Sequence, residues 1–185
     1  KKENFYVSSY DEEINKIANK NGFKIFKRSK GSALSEGQNI KILYEWWNKL
    51  DYKYCVLINA SLPFLSIKTI DDFIAKYQRS SFTGQFAVAE KKNYYWYKKK
   101  LINKWPKNLQ CMNTKKVDSL FEAAHCLYAS PMDIIGKGYF MGNLKNINNI
   151  NLYVIKEPIE TLDIDEEWQF KSFESIYMNI KKKLF

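Results

Sequence analysis

The apolar run Tyr54–Ile58 is the feature that most constrains the fold of this chain. Five consecutive apolar residues between polar flanks are typical of a strand covered on both faces, as in the centre of a parallel sheet. Strand-like segments at 5–8 and 23–28 precede it, and a helical pattern follows each of the three strands. This β-α-β-α-β-α order predicts an α/β fold, a three-layer α/β/α sandwich around a mostly parallel, Rossmann-like sheet.

The pattern changes after the third predicted helix, residues 66–77. Strand character returns in four segments: 84–90, 94–102, 124–128 and 151–156. A short helix is favoured at 131–135, and a last helical pattern extends to about residue 182. We therefore expect a single domain, residues 1–185, with the glycine- and asparagine-rich region 131–150 as an excursion from it.

Composition excludes several classes of protein. A hydrophobic content of 45% is too high for a disordered chain, and no apolar run approaches the roughly 20 residues that span a bilayer. Three scattered cysteines and one histidine argue against a zinc site, so we expect reduced cysteines in a cytoplasmic protein. The net charge of +10 would suit nucleic acid, an anionic membrane or small phosphorylated substrates, and does not choose among them.

Two carboxylates one residue apart, Asp163 and Asp165, lie between the last predicted strand and the last helix. On an extended backbone, residues i and i+2 project to the same side, so both could face one hard cation such as Mg²⁺. The alternative is an ordinary helix start, where acidic residues are favoured anyway. Asn59 and Ser61 follow the run Tyr54–Ile58. Because open α/β sheets bind ligands outside the carboxyl ends of their strands, we expect both polar clusters to converge on one cleft.

Five ordered motifs extend over nearly the whole chain. They are residues 5–14 (FYVSSYDEEI), 34–38 (LSEGQ), 58–65 (INASLPFL), 121–128 (FEAAHCLY) and 162–170 (LDIDEEWQF). In their order and spacing they resemble the cytidylyltransferases that activate acidic nine-carbon sugars, the acylneuraminate (CMP-sialic acid synthetase) type.

The resemblance implies transfer of CMP from CTP to the hydroxyl of an acidic sugar or similar acid, with release of pyrophosphate, for surface-glycan biosynthesis. Asp163 and Asp165 would hold Mg²⁺. The residues that would contact substrate are Asn59, Ser61, Arg28, Ser35, Gln38, Lys115, Lys116 and His125. It also implies a homodimer in which Tyr139 and Phe140 of the excursion reach the second subunit. Neither a membrane nor nucleic acid is expected as a partner.

The chain departs from that family in two ways. The family's first strand, its glycine-rich phosphate loop and its first helix would precede Lys1, so we expect this sequence to lack an N-terminal part. In addition, Tyr10, Asn59 and Ala124–His125 stand where the family has Asp, Gln and Asn-Gly. Because these changes cluster where the acceptor would bind, the identity of the acceptor stays open.

Two other functions stay open on sequence alone. Residues 94–97 (YYWY) beside the lysines at 98–100 could stack bases and contact phosphates in a non-catalytic anion- or nucleic-acid-binding module. A metal-dependent glycosyltransferase of related fold would also use an Asp-x-Asp pair. There, however, the pair normally follows a strand in the middle of the chain, whereas Asp163 lies near the end.

Overall fold

The structure is a computed structural model that describes residues 2–34, 38–105, 107, 111–140, 142–143 and 145–184. The strands are β1 Tyr6–Ser9, β2 Lys24–Lys27, β3 Tyr54–Ile58, β4 Gly84–Lys91, β5 Trp96–Tyr97, β6 Lys100–Leu101, β7 Leu120–Pro131 and β8 Ile150–Ile155. The α-helices are α1 Glu12–Lys20, α2 Lys30–Ala33, α3 Ile40–Leu43, α4 Ile67–Arg79, α5 Met132–Gly136 and α6 Glu167–Leu184. No helix among the described residues is both long and apolar enough to cross a bilayer.

Four strands form the central sheet, in the order β3-β7-β4-β8. Strand β7 pairs antiparallel with β3 and with β4, while β4 and β8 are parallel. Strands β3, β4 and β8 therefore share one direction and only β7 opposes them, which confirms the mostly parallel sheet. Strands β1 and β2 form a separate parallel pair. The expectation that β3 pairs with parallel neighbours is wrong for the described residues, where its partner is the antiparallel β7.

Side chains from β3 enter two different cores, because successive residues of a strand point to opposite faces. Val56 and Ile58 pack against the cluster around Phe73 of α4. Cys55 and Leu57 pack against the cluster around Trp46 and the buried residues of α5. The sheet is thus covered on both faces, and the three-layer α/β/α sandwich predicted from the apolar run is confirmed.

Local capping explains where two of the helices begin. The Asp11 carboxylate accepts hydrogen bonds from the backbone N–H groups of Glu13 and Ile14, at 2.8 and 3.0 Å, and so starts α1. Ser66 accepts from the backbone N–H of Thr69 at 3.2 Å and starts α4 in the same way. Side chains of both types accept hydrogen bonds from N–H groups that have no partner within the helix.

Two predicted elements differ from the structure. The helix expected over 38–50 is interrupted at Tyr44 (φ −110°, ψ 43°), which separates α3 from the 3₁₀ turn Glu45–Asn48. The strand expected over 94–102 is instead the short hairpin β5–β6, which turns at Lys98 and Lys99 with φ values of 45° and 66°. Positive φ at two consecutive positions is the mark of a tight hairpin turn.

The excursion proposed for 131–150 contains α5 and loops before β8. Phe140 is buried in the chain's own core, with its ring centroid 4.6 Å from that of Tyr44. Tyr139 is 36% exposed. Of the two residues expected to reach a second subunit, Tyr139 therefore presents its ring to solvent, whereas Phe140 packs within its own chain.

Candidate active site

The loop that carries Asp163 and Asp165 lies against the carboxyl end of β3. Between these two residues, the backbone N–H of Ile164 donates to the carbonyl oxygen of Ser61 at 3.0 Å. Ser61 follows β3 by three residues, so this bond joins the two polar clusters that the sequence places far apart. The structure brings them together at one edge of the sheet, where ligands of open α/β sheets bind.

The two carboxylates have different surroundings. Asp163 is half-buried, and its Oδ1 is buried without a hydrogen-bond partner among the described residues. Asp165 is exposed. Its backbone N–H donates to Oε1 of Gln169 at 2.7 Å, and that oxygen also accepts from the N–H of Glu166 at 2.6 Å. Gln169, on the first turn of α6, therefore fixes the loop by reaching back to N–H groups at the helix start.

These residues fit a magnesium ion that is completed by substrate. A buried carboxylate oxygen without a partner is costly unless something binds it, and a cation would satisfy Oδ1 of Asp163. Among the described residues, no three His, Cys, Asp or Glu side chains form a metal-binding group. Mg²⁺ is commonly held by one or two carboxylates plus phosphate oxygens of a substrate, so a two-carboxylate site suits it.

Glu160 is a buried carboxylate that sequence reasoning missed. It is 6% exposed, and its Oε2 lacks a hydrogen-bond partner among the described residues. It lies on the 3₁₀ turn Pro158–Thr161, which packs against β7 and β8. A single carboxylate on a turn of four residues gives no periodic signal of burial.

The negative charges of Glu160 and Asp163 affect the thiol pKa of Cys126 on β7. Burial, with a smaller contribution in the same direction from the two carboxylates, raises the pKa of the Cys126 thiol to about 11. Cys126 is therefore a protonated core residue at neutral pH and is no candidate for a nucleophile or a metal ligand.

Asn59 is engaged in bonds within the protein. Its Oδ1 accepts from the backbone N–H and from the hydroxyl of Ser61, at 3.1 and 2.8 Å. Its Nδ2 donates to the carbonyl oxygen of His125 at 3.2 Å. Asn59 thus ties the end of β3 to β7. The prediction that Asn59 and Ser61 contact an acceptor stays a prediction, to which the structure adds this internal role.

His125 occupies an irregular point of β7. Its φ of 52° is rare for a non-glycine residue, and the register with β4 shifts between Phe86 and Val88 as at a β-bulge. The side chain is exposed, and its Nδ1 lies 2.8 Å from the hydroxyl of Tyr128. Sequence reasoning did not single out Tyr128, whose pairing with His125 depends on the bulge.

Arg28, another predicted substrate contact, is engaged in bonds within the protein. The Arg28 guanidinium donates from Nε to Ser32 Oγ at 3.0 Å, and from Nη2 to the carbonyl oxygens of Ser32 and Leu43. It therefore holds α2 against α3. Gln38 is half-buried, and Ser35 lies outside the described residues.

Lys115 and Lys116 have exposed side chains on the 3₁₀ turn Thr114–Lys116. The turn precedes β7, whose first residue pairs with Lys91 at the carboxyl end of β4. Both lysines are therefore near the carboxyl edge of the sheet, and no described contact joins them to Asp163 or Asp165.

Comparison with solved structures identifies the fold. The chain is similar to CMP:2-keto-3-deoxy-manno-octonic acid synthetase in complex with CTP, with a TM-score of 0.65 and 10% identity over 94% of this chain and 80% of that one. It is also similar to 4-diphosphocytidyl-2C-methyl-D-erythritol synthase from Anaerococcus prevotii DSM 20548, with a TM-score of 0.56 and 11% identity over 92% of this chain and 77% of that one. The chain shares the fold of these synthetases. No protein-family model and no curated protein sequence matches it.

This synthetase fold accounts for the position of the candidate site. The loop after β3 and the Asp163–Asp165 segment, joined by the Ile164–Ser61 hydrogen bond, lie at the carboxyl edge of a mostly parallel sheet, the edge that open α/β sheets use for ligands. At 10–11% identity the likeness is one of fold. The chemistry must therefore be argued from the residues.

Proposed function

We propose that this chain is the core of a nucleotidyltransferase that transfers CMP from CTP to the hydroxyl of an acidic sugar or related acid, releasing pyrophosphate. One observation carries the proposal: Asp163, with a buried and unpartnered carboxylate oxygen, is held against the carboxyl end of β3 by the Ile164–Ser61 bond. A structural neighbour of the same fold is a CTP complex. The sequence motifs described above resemble the same class of enzyme.

In this proposal an oxygen of the acceptor hydroxyl attacks the α-phosphorus of CTP. A new P–O bond forms to the acceptor, the bond from the α-phosphorus to the bridging oxygen breaks, and pyrophosphate leaves with that oxygen. The hydroxyl proton passes to solvent. Such reactions depend mainly on positioning and on offsetting the charge of the phosphate oxygens.

Asp163 and Asp165 would hold Mg²⁺, which supplies positive charge to the phosphate oxygens. The chain's own residues prepare the site. Gln169 fixes the backbone of the loop at Asp165, and Ser61 fixes it at Ile164. The net charge of +10 favours the approach of a triphosphate and of an acidic acceptor.

We also propose that a further parallel strand lies between β1 and β3 and that the expected phosphate loop follows it. In the described residues β1 and β3 belong to separate sheets. The hydroxyl of Tyr6 on β1 lies 3.4 Å from that of Tyr52, two residues before β3. None of the five residues of β3 is fully buried, although the strand is apolar. A further strand would pair with both edges, and the two structural neighbours extend beyond the part that this chain matches.

The test is pyrophosphate release by the polypeptide together with any residues that precede Lys1 in its reading frame. It is incubated with Mg²⁺, each of the four nucleoside triphosphates, and a panel of acidic sugars and small acids. We expect release with CTP and one class of acceptor, and a loss of at least about a hundredfold in D163A and D165A, typical of lost electrostatic stabilisation. K171A, which removes only an exposed ion pair with Glu167, is the control and should stay within about twofold.

A second candidate function is favoured by the hairpin β5–β6. Trp96 and Tyr97 are 53% and 64% exposed, and the ammonium of Lys98 lies 5.3 Å from the Tyr97 ring centroid. Exposed aromatics beside lysines can stack bases and contact phosphates. Salt-sensitive binding of a fluorescent single-stranded oligonucleotide, unaffected by D163N and lost in W96A, would support this binding module. If no triphosphate is consumed either, the binding module would take the place of the enzyme as the proposed function.

We further expect a cytoplasmic homodimer. Tyr139, exposed next to α5, is the side chain that the excursion would present to a second subunit. Sedimentation of wild type and of Y139A would test this, with a dimer expected for the first and a weaker one for the second.

A further inference from the structure

His125 has a backbone conformation that a glycine would adopt without strain. At φ 52° it lies in the left-handed region, where a side chain is disfavoured. Its neighbours Ala124, Cys126 and Leu127 are buried, whereas the imidazole is exposed. Such conformations persist where the surroundings enforce them, and they cluster at functional sites. An exposed imidazole at a strained backbone position therefore points to a functional role for this side chain.

Three hydrogen bonds enforce this conformation. The backbone N–H of Asn59 donates to the carbonyl oxygen of Cys126 at 2.9 Å, and Asn59 Nδ2 donates to the carbonyl oxygen of His125 at 3.2 Å. The third bond joins His125 Nδ1 to the Tyr128 hydroxyl at 2.8 Å. Tyr128 is itself anchored in the core, with its ring centroid 6.0 Å from that of the buried Phe140. Backbone and ring are therefore both fixed.

The Tyr128 bond also engages one of the two ring nitrogens of the imidazole. Burial raises the pKa of the Tyr128 hydroxyl to about 12, so the hydroxyl keeps its proton at neutral pH. If that proton is donated to Nδ1, the proton of the neutral ring is on Nε2. The exposed edge of His125 then carries a single N–H donor, at a defined position and with a defined tautomer.

The backbone of His125 is linked to the carboxylate loop by a continuous set of bonds. Asn59 binds the His125 carbonyl with one side of its amide and Ser61 with the other, and the Ser61 carbonyl holds Ile164 between Asp163 and Asp165. His125 and the proposed metal site are thus built into the same edge of the sheet.

We propose that His125 is a specificity-determining residue whose Nε2–H donates to an oxygen of an oxygen-rich acceptor, a hydroxyl or a carboxylate, while Tyr128 and Asn59 position it. The proposal rests on the proposed function, since it assigns a contact to the acceptor of that reaction. The proposal also accounts for the presence of a histidine at a position where the backbone conformation favours glycine. A site built to donate a hydrogen bond to a substrate oxygen rejects analogues that lack this oxygen.

The test compares H125G, H125N and Y128F with wild type, using CTP and the best acceptor from the pyrophosphate panel. H125G adopts the left-handed backbone readily, so we expect its melting temperature to equal or exceed that of wild type. We expect its KM for the acceptor to rise by about tenfold or more, with the KM for CTP unchanged within about twofold, as for one lost hydrogen bond to a substrate.

The other two variants separate the contact from its positioning. Asn also tolerates positive φ and keeps an N–H donor, so H125N should recover part of the affinity for the acceptor. Y128F leaves the imidazole in place but frees its tautomer and orientation, and we expect about a fivefold rise in the KM for the acceptor, the effect of one hydrogen bond. Added imidazole should partly restore H125G and should not affect Y128F.

The outcomes distinguish this inference from the proposed function. If wild type transfers CMP and H125G keeps the acceptor KM and kcat of wild type, His125 only shapes the bulge and the inference is overturned. If H125G loses its melting transition, the residue is structural, which also overturns it. If wild type transfers CMP to no acceptor, the proposed function itself fails and this inference fails with it.

Discussion

Asp163→Ala, which removes the buried oxygen, should stabilise the ligand-free protein and abolish its response to Mg²⁺. Oδ1 of Asp163 is buried without a hydrogen-bond partner among the described residues. Leaving such an acceptor unsatisfied costs about 1–3 kcal/mol. Because the residue is only half-buried, we take the lower end, about 1 kcal/mol. In a chain of this size that raises the melting temperature by about 2–4 °C.

The assay is thermal unfolding with and without MgCl₂ and CTP, with Asp165→Ala as the matched control. The Asp165 carboxylate is exposed, so the control should change the unfolding free energy of the ligand-free protein by at most about 0.5 kcal/mol. Ligand at a hundred times its Kd should stabilise wild type by about 2.7 kcal/mol. A D163A variant that melts below wild type, or that gains as much from Mg²⁺ and CTP, would refute the reasoning.

Three further variants or labels test individual parts of the structure. Arg28→Lys should lower the unfolding free energy by about 1–2 kcal/mol, because a lysine cannot keep the guanidinium bonds between α2 and α3. Unchanged stability together with a raised KM for CTP would instead show that the Arg28 side chain binds substrate. Iodoacetamide at pH 8 should label Cys111 at least about a hundredfold faster than Cys126. The raised pKa of the Cys126 thiol, from 9.0 to about 11, lowers the fraction of reactive thiolate at pH 8. Equal labelling of the two cysteines by mass spectrometry would contradict this. Gly136→Ala should cost about 1–2 kcal/mol in urea unfolding, because its Cβ would lie 2.5 Å from the Trp47 ring, and an unchanged midpoint would show that this ring moves freely.

The elements that could be predicted from sequence are those specified by local signals. The run Tyr54–Ile58 coincides with β3, and Ser66 caps α4 as its residue type favours. The position of Asp163 and Asp165 beside Ser61 could also be predicted, because it follows from which ends of the strands carry polar residues.

Features that depend on distant contacts could not be predicted in this way. The helical spacing after Gln38 is interrupted because Tyr44 packs on Phe140, a residue far away in sequence. The bulge at His125 is held by Asn59 across 66 positions of the chain, a contact that no local pattern around His125 indicates. The burial of Glu160 likewise depends on β7 and β8, which pack against its turn.

The most direct measurement of the central claim is the fate of isotope from labelled CTP. The protein, with any residues that precede Lys1 in its reading frame, is incubated with Mg²⁺, the acceptor panel, and CTP labelled with ³²P at either the α- or the γ-phosphate. The account predicts that α-label appears in the acceptor product and γ-label in pyrophosphate, and that both disappear in D163A. Transfer of the γ-label to an acceptor, or no transfer of either label by folded wild-type protein, would contradict it.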